Sequence, residues 1–310
     1  MSADHRPATV EALAALVRAR AGAPASAGGA RRGLRIAGAA TWMDAGHAVR
    51  EAEHLSLGAF RGIEAYTPAD LTISVGAATT LAELDAATAA HGQWCPLLPW
   101  GDDHGTVGAT IATATTGPFA ERLGRPRQLV LGVECVDGTG RIVRAGGRVV
   151  KNVAGFDLTR AVTGAWGTLA VITRLHLRLR ARPAVDVTLA VACPATEAAT
   201  SRLAAFTRGP LAPLGVVALE AADAAAVGAP GATHLVRLGG NAALVREART
   251  AVGSLGAVTE LEAAAWSIIR ARLAPAPRLT GWRWDALARR LRDRFDPARI
   301  LNPGLLGDPT

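Results

Sequence analysis

Val150-Lys-Asn-Val-Ala-Gly-Phe-Asp157, set behind Gly146-Gly147 and followed by Gly164-Ala-Trp-Gly-Thr-Leu-Ala-Val-Ile-Thr173, is the stretch whose reading settles the fold. It carries Lys151, the only lysine among 34 basic residues, and it ends in the β-branched run of a strand. Two small-residue segments lie upstream. The first, Arg35-Ile-Ala-Gly-Ala-Ala-Thr41, continues directly from the brief strand Leu34-Arg-Ile36. The second is Gly101-Asp-Asp-His-Gly-Thr-Val-Gly-Ala-Thr-Ile-Ala-Thr-Ala-Thr-Thr-Gly117, with four glycines and five threonines in seventeen positions. Small residues let backbone N–H groups come close to anionic oxygens, and threonine hydroxyls add donors. Two such segments can clasp a pyrophosphate from two sides without a cationic side chain; each alone reads equally well as a mobile loop.

Working outward, residues 8–20 read as an amphipathic helix, with Leu13, Leu16 and Val17 on one face, and residues 21–30 as a flexible connector. Leu71, Ile73 and Val75 alternate with Thr72 and Ser74, the period of a strand. Thr80-Leu-Ala-Glu83 is a capping box that opens a helix ending at Gly92. The uncharged residues 105–120 are expected to be a loop. A strand 129–136, a turn Asp137-Gly-Thr-Gly140 and a returning strand 141–144 make a hairpin, and 168–179 is another strand. Strands at hairpin spacing with few helices predict an α+β arrangement over a doubly wound parallel sheet. Pro183 is a plausible domain joint. Beyond it the pattern is strand 185–192, helix 195–207, strands 214–220 and 233–238, helix 241–254 and a helical stretch 261–273. A last helix, about 284–295, precedes Asp296-Pro-Ala-Arg-Ile-Leu-Asn-Pro-Gly304. The expected domains are 1–182, 183–274 and the tail 275–310.

Composition excludes several functions. At 50% apolar and 19% charged residues the chain is globular, not disordered. The net charge of +8 suggests nucleic acid, but the basic residues form no run; in 174–182 they alternate with apolar ones as on a strand with one wet face. With 4% aromatics there is little to stack bases on. Cys95, Cys135 and Cys193 stand far apart, so neither an iron–sulfur cluster nor a zinc site is expected, and a reduced, cytoplasmic compartment is. No window offers the ~18 apolar residues of a membrane span. No P-loop, G-x-G-x-x-G between strand and helix, G-x-S-x-G or H-E-x-x-H occurs.

In order and spacing, these blocks, with Ile63-Glu-Ala-Tyr-Thr-Pro-Ala-Asp-Leu71 and the terminal Asp-Pro…Asn-Pro-Gly, resemble the E-type FAD-binding subunits of bacterial glycolate oxidases. More broadly they resemble vanillyl-alcohol-oxidase-type flavoproteins, whose FAD-binding domain is named after p-cresol methylhydroxylase. The resemblance covers about residues 30–180 and the last fifteen. It implies that FAD domain, a reduced α/β cap domain, and a tail that returns to the FAD domain. It further implies that Ala37, Gly38, Ala39, Ala40 and Thr41 hold the FAD pyrophosphate with Thr106, Val107, Gly108, Thr110, Thr113, Thr116 and Gly117. Lys151, Asn152, Gly155 and Asp157 would sit near the flavin, and Gly167, Val171 and Ile172 at the adenine end. FAD is expected to be non-covalent, because the first segment lacks the His, and the second the Cys, through which some relatives attach it.

The resemblance also implies partners: a second FAD subunit and an iron–sulfur subunit of a glycolate oxidase-type complex, which acts on a small 2-hydroxy acid. Any membrane association would come through those partners. A self-sufficient FAD-dependent dehydrogenase and a non-catalytic scaffold that has lost flavin remain open, the latter because Ala37, Ala39 and Ala40 stand where relatives are richer in glycine. No catalytic residue is assigned. His234, Arg237 and Trp282-Arg-Trp284 are thin candidates, and His104 reads as an ordinary loop histidine. Lys151→Ala is expected to weaken FAD retention, measured by FAD release on dilution; unchanged retention removes Lys151 from the site.

Overall fold

The computed structural model describes residues 4–24, 32–49, 52–147, 158–192, 196–274 and 284–307. Lys151, Asn152, Gly155 and Asp157 lie outside them, as do Trp282, Cys193 and most of the 21–30 connector. The short strand β1 (Asp4–His5) leads to helix α1 (Val10–Gly22). The Thr9 hydroxyl accepts from Ala12 N–H to open that helix, and Leu13, Ala14 and Val17 bury its inner face. Strands β2 (Gly33–Ala37) and β3 (Ala52–Ser56) complete a three-stranded parallel sheet in the order β1-β3-β2. Glu53 is buried within it because His5 and Arg20 pair with its carboxylate.

A second sheet is antiparallel throughout. Strands β4 (Ile63–Thr67) and β5 (Thr72–Gly76) precede helix α2 (Leu81–Ala89), which carries the predicted capping box, and the short β6 (Gln93–Trp94). Helices α3 (Val107–Thr113), α4 (Ala120–Leu123) and α5 (Pro126–Leu129) come next. The hairpin β7 (Val130–Asp137) and β8 (Ile142–Gly146), helix α6 (Leu158–Val162) and strand β9 (Ala170–Arg178) complete the order β4-β5-β9-β7-β8. Glu134 fixes the register at its centre: it lies opposite Arg144 on one side and Arg174 on the other, and its carboxylate pairs with both. One sheet face packs on α2, α3 and α6 through Ile73, Val75, Ile111, Val162, Leu175 and Leu177.

After β10 (Arg180–Ala181), a third sheet holds β11 (Val185–Ala192), β12 (Gly215–Leu219), β13 (Thr233–Gly240) and β14 (Ala257–Leu261) in the order β12-β13-β11-β14. Helices α7 (Glu197–Arg208) and α9 (Ala242–Gly253) cover one face. On the other face, α8 (Ala221–Ala226) and α10 (Ala265–Arg272) pack with Trp94 and Phe119 of the preceding unit. The architecture is the expected α+β one. Two local readings are corrected. Residues 105–120 are not all loop: α3 forms because Thr106 caps it and Val107 and Ile111 pack into the core. The stretch 261–273 is not one helix: 257–261 pairs with β11 as an edge strand, and the helix begins at Ala265.

The tail returns as predicted. Helix α11 (Ala286–Phe295) ends at Asp296, whose fully buried carboxylate accepts from the N–H groups of Ile300 (3.1 Å) and Leu301 (2.9 Å). Leu34 N–H then donates to Ile300 O at 2.7 Å, and Asn302 N–H to Leu34 O at 2.9 Å, so Leu301 pairs in parallel with the open edge of β2. Burial pushes the Asp296 carboxyl up from 3.8 to about 6. A folded-state value above the unfolded one means that the native chain holds the proton more tightly. Stability from this group therefore falls as pH rises from about 4 to about 6, by up to about 3 kcal/mol. Urea unfolding should show the stability of the wild type relative to Asp296→Asn declining over that window; a difference flat with pH refutes it.

Candidate functional site

Strand β2 delivers the chain to a cleft and stops there. Gly38 lets the turn approach α3: a Cβ at that position would stand 2.5 Å from the Thr106 hydroxyl oxygen. The two small-residue segments therefore touch, at Gly38 and Thr106. Thr106 is held from both sides, bridged to Thr80 and accepting from Ala109 N–H at 3.2 Å. Gly108 packs against Ala77 and donates to its carbonyl at 2.8 Å, a contact that leaves no room for a side chain.

The cleft opens to solvent and spans about 710 Å³ with the open mouth included. Ala37 through Thr41 form one wall, and Thr106, Gly108 and Thr113 a second. Gly167, Val171 and Ile172 line it as well, Gly167 beside Asn302 and Ile36. Ala40 adopts a left-handed backbone, φ 59°, and the N–H groups of Gly38, Ala39, Ala40 and Thr41 find no acceptor among the described residues. Consecutive open amides with one left-handed residue make an anion-binding concavity.

Other expected residues lie elsewhere. Thr110 lines a second cleft, of about 790 Å³, that shares Thr41 and Trp42 with the first and is walled by Trp100 and Ala271. Thr116 and Gly117 line a small separate cavity, where Gly117 sits against the Leu98 carbonyl. Val107 is fully buried in the main core.

Residues that the sequence reading did not assign also line the first cleft, among them Arg35, Trp42, Trp166 and Asn302. Trp42 and Trp166 meet edge to face at 5.6 Å. Asn302 spans the cleft wall, accepting from Ile36 N–H through Oδ1 and donating to Trp166 O through Nδ2, both at 2.9 Å. The signals were present, since Arg35 and Trp166 fall inside the quoted blocks and Asn302 inside Asn-Pro-Gly, but composition does not say which way a side chain faces.

The thin catalytic candidates among the described residues do not line either cleft. His234 sits on β13 with Val236 and Leu238 toward α7 and α9; burial lowers its pKa, and its Nδ1 has no partner among the described residues. Arg237 makes two hydrogen bonds to Asp186 and stacks on Trp94 and Phe119. His104 is exposed. Trp284 donates to Gly307 O and lies under the Arg292 guanidinium, packed against its own tail. The walls of the second cleft carry Asp102 and no cation among the described residues; Arg270 is buried beside Asp103, which it binds. Cys95 and Cys135 are buried thiols pushed up to about 12, far from thiolate character. Among the described residues no cluster fits a metal ion, and no helix is long and apolar enough to cross a membrane.

A family described as FAD binding domain matches residues 2–146. The chain is 31% identical to glycolate oxidase subunit GlcE of Escherichia coli (strain K12) over 226 residues, 72% of this chain and 60% of the relative. It is 37% identical to a D-lactate dehydrogenase of Archaeoglobus fulgidus over 153 residues, 49% of this chain and 34% of the relative. It thus spans less than two thirds of the first relative's length and about a third of the second's. A solved structure of alkyldihydroxyacetonephosphate synthase superposes with a TM-score of 0.68 at 15% identity, over 87% of this chain and 55% of that one, a likeness of fold. Residues 2–146, which hold the turn 38–41 and α3, match the FAD-binding domain family, and the fold is of the p-cresol-methylhydroxylase type, whose cofactor is FAD.

Proposed function

We propose that the chain is the FAD-binding subunit of a glycolate oxidase-type complex that oxidises a 2-hydroxy acid such as glycolate to the 2-oxo acid, its flavin accepting or relaying the electrons. One observation carries the reading: two small-residue segments converge at Gly38 and Thr106 on a cleft with open amides, in a chain similar to a glycolate oxidase subunit. The cleft suits an anionic dinucleotide through the unused N–H groups of Gly38 to Thr41, which the close packing of Gly38 on Thr106 and of Gly108 on Ala77 brings beside α3.

In this reading the amides of Gly38 to Thr41 donate to the pyrophosphate, with Thr106, Gly108 and Thr113 opposite. Gly167, Val171 and Ile172 line the adenine end, while Ile36, Trp42 and Trp166 exclude water from the cleft. Lys151, Asn152, Gly155 and Asp157 belong to the flavin end on the strength of the resemblance alone. When bound, the flavin supplies a two-electron acceptor, which a 2-hydroxy acid needs. The likeness to a glycolate oxidase subunit favours a complex over a self-sufficient enzyme. A second FAD subunit and an iron–sulfur subunit are the partners proposed, in the cytoplasm, with any membrane contact made through them.

The purified chain should be yellow and release FAD on denaturation. Mixed anaerobically with 2-hydroxy acids, its flavin should bleach only when the partner subunits are present. Bleaching of the isolated chain shifts the conclusion to a self-sufficient dehydrogenase; a colourless protein that takes up no added FAD overturns both and leaves the scaffold.

A further inference from the structure

Among the described side chains that line the first cleft, one carries a charge: Arg35. It stands on β2, just ahead of the turn 38–43, and its Nη2 donates to two carbonyls of that turn, Trp42 O at 3.2 Å and Met43 O at 2.9 Å. Its Nε and Nη1 find no acceptor among the described residues, and no carboxylate there makes an ion pair with it, Asp44 acting only from a distance. We propose that Arg35 is a pyrophosphate-binding residue, whose guanidinium braces the open-amide turn through one nitrogen and meets the anionic cofactor with the others. This rests on the FAD reading above and adds a cation to a site so far built from backbone amides and hydroxyls.

The chemistry suits arginine in particular. A planar guanidinium offers five N–H donors in fixed directions, so one edge can bind carbonyls while another faces an anion. Lysine has a single ammonium and cannot divide its donors in that way. Burial lowers the pKa of Arg35, and exposed Asp44 offsets this only in part. A cation kept half-buried without an ion pair gains most from an anion placed beside it. The same contact explains how the turn keeps its shape while four of its amides stay open: its outward carbonyls are tied down by Arg35, so the amides need not fold back onto them.

Quenching of flavin fluorescence by the apoprotein, over a series of salt concentrations, tests the proposal. Wild-type affinity for FAD should weaken as salt rises, because a charge pair is screened. Arg35→Gln should raise the Kd about tenfold or more at low salt, the scale of a lost charge-assisted hydrogen bond, and flatten the salt dependence. ADP should displace FAD from the wild type with the same salt dependence, and from Arg35→Gln without it. Arg35→Lys, which keeps the charge and loses the fork, should weaken binding yet retain the salt dependence. A Kd for Arg35→Gln within twofold of the wild type overturns the proposal. So does a loss with the salt dependence unchanged, which would make Arg35 a brace and nothing more. If Arg35→Gln fails to fold by near-ultraviolet circular dichroism, the lysine variant decides: loss of its salt dependence is equally fatal. Failure of the wild type to bind FAD overturns the FAD reading itself, and this inference with it.

Discussion

The closing of the β2 edge by the C-terminal tail is the contact on which the rest of the site depends. The N-terminal sheet has strands of two, five and five residues, all parallel, and short parallel strands are poorly stable without cover. Its outer strand, β2, also carries the chain into the cleft. Ile300 and Asn302 satisfy the free edge at Leu34, and Asn302 continues past it to bind Ile36 N–H and the Trp166 carbonyl. A single side chain near the end of the chain thereby joins the two walls. It does so from a left-handed backbone, φ 44°, that asparagine tolerates better than most residues.

Trp166 depends on the same contact. Its own backbone is left-handed, φ 54°, a conformation that costs of order 1–2 kcal/mol for a bulky residue. It is held there by its N–H on Ala112 O and its carbonyl on Asn302. The tail, α3 and the start of β9 are thus coupled through one strained residue, and Gly167 behind it has no room for a Cβ beside the Asn302 amide. The cleft has walls from four separated parts of the sequence, and hydrogen bonds link β2 to the tail, the tail to Trp166 and Trp166 to α3.

That arrangement explains what the sequence reveals and what it hides. Strands 72–76, 170–178 and 185–192 are legible because apolar residues recur at period two in the chain itself. Strand 52–56 is not, because one of its inward positions is Glu53, which becomes a core residue only once Arg20 and His5 reach it. Helix α3 is masked by a Gly/Thr composition that has the look of a loop; its helicity comes from the Thr106 cap and the burial of Val107 and Ile111. The anion-holding character of the two segments is legible as composition. Their meeting at Gly38 and Thr106 is not, nor is the division that sends Thr113 to the cleft, Thr110 to its neighbour, Val107 to the core and Gly117 to the Leu98 carbonyl.

Charge shows the same gap between composition and geometry. A chain at +8 with scattered arginines points toward nucleic acid until the positions are known. Most of those that line buried or half-buried sites are already spent: Arg270 on Asp103, Arg237 on Asp186, and Arg144 and Arg174 on Glu134. Arg35 is different in kind, since its only described hydrogen bonds are to main-chain carbonyls, which orient a guanidinium without neutralising it. Carbonyl contacts leave the positive charge intact and desolvated, so the field in the cleft stays positive from one side chain and four open amides. An apolar-walled site with that field selects a long ligand that is anionic at one point and apolar elsewhere, and a flavin dinucleotide has that distribution of charge.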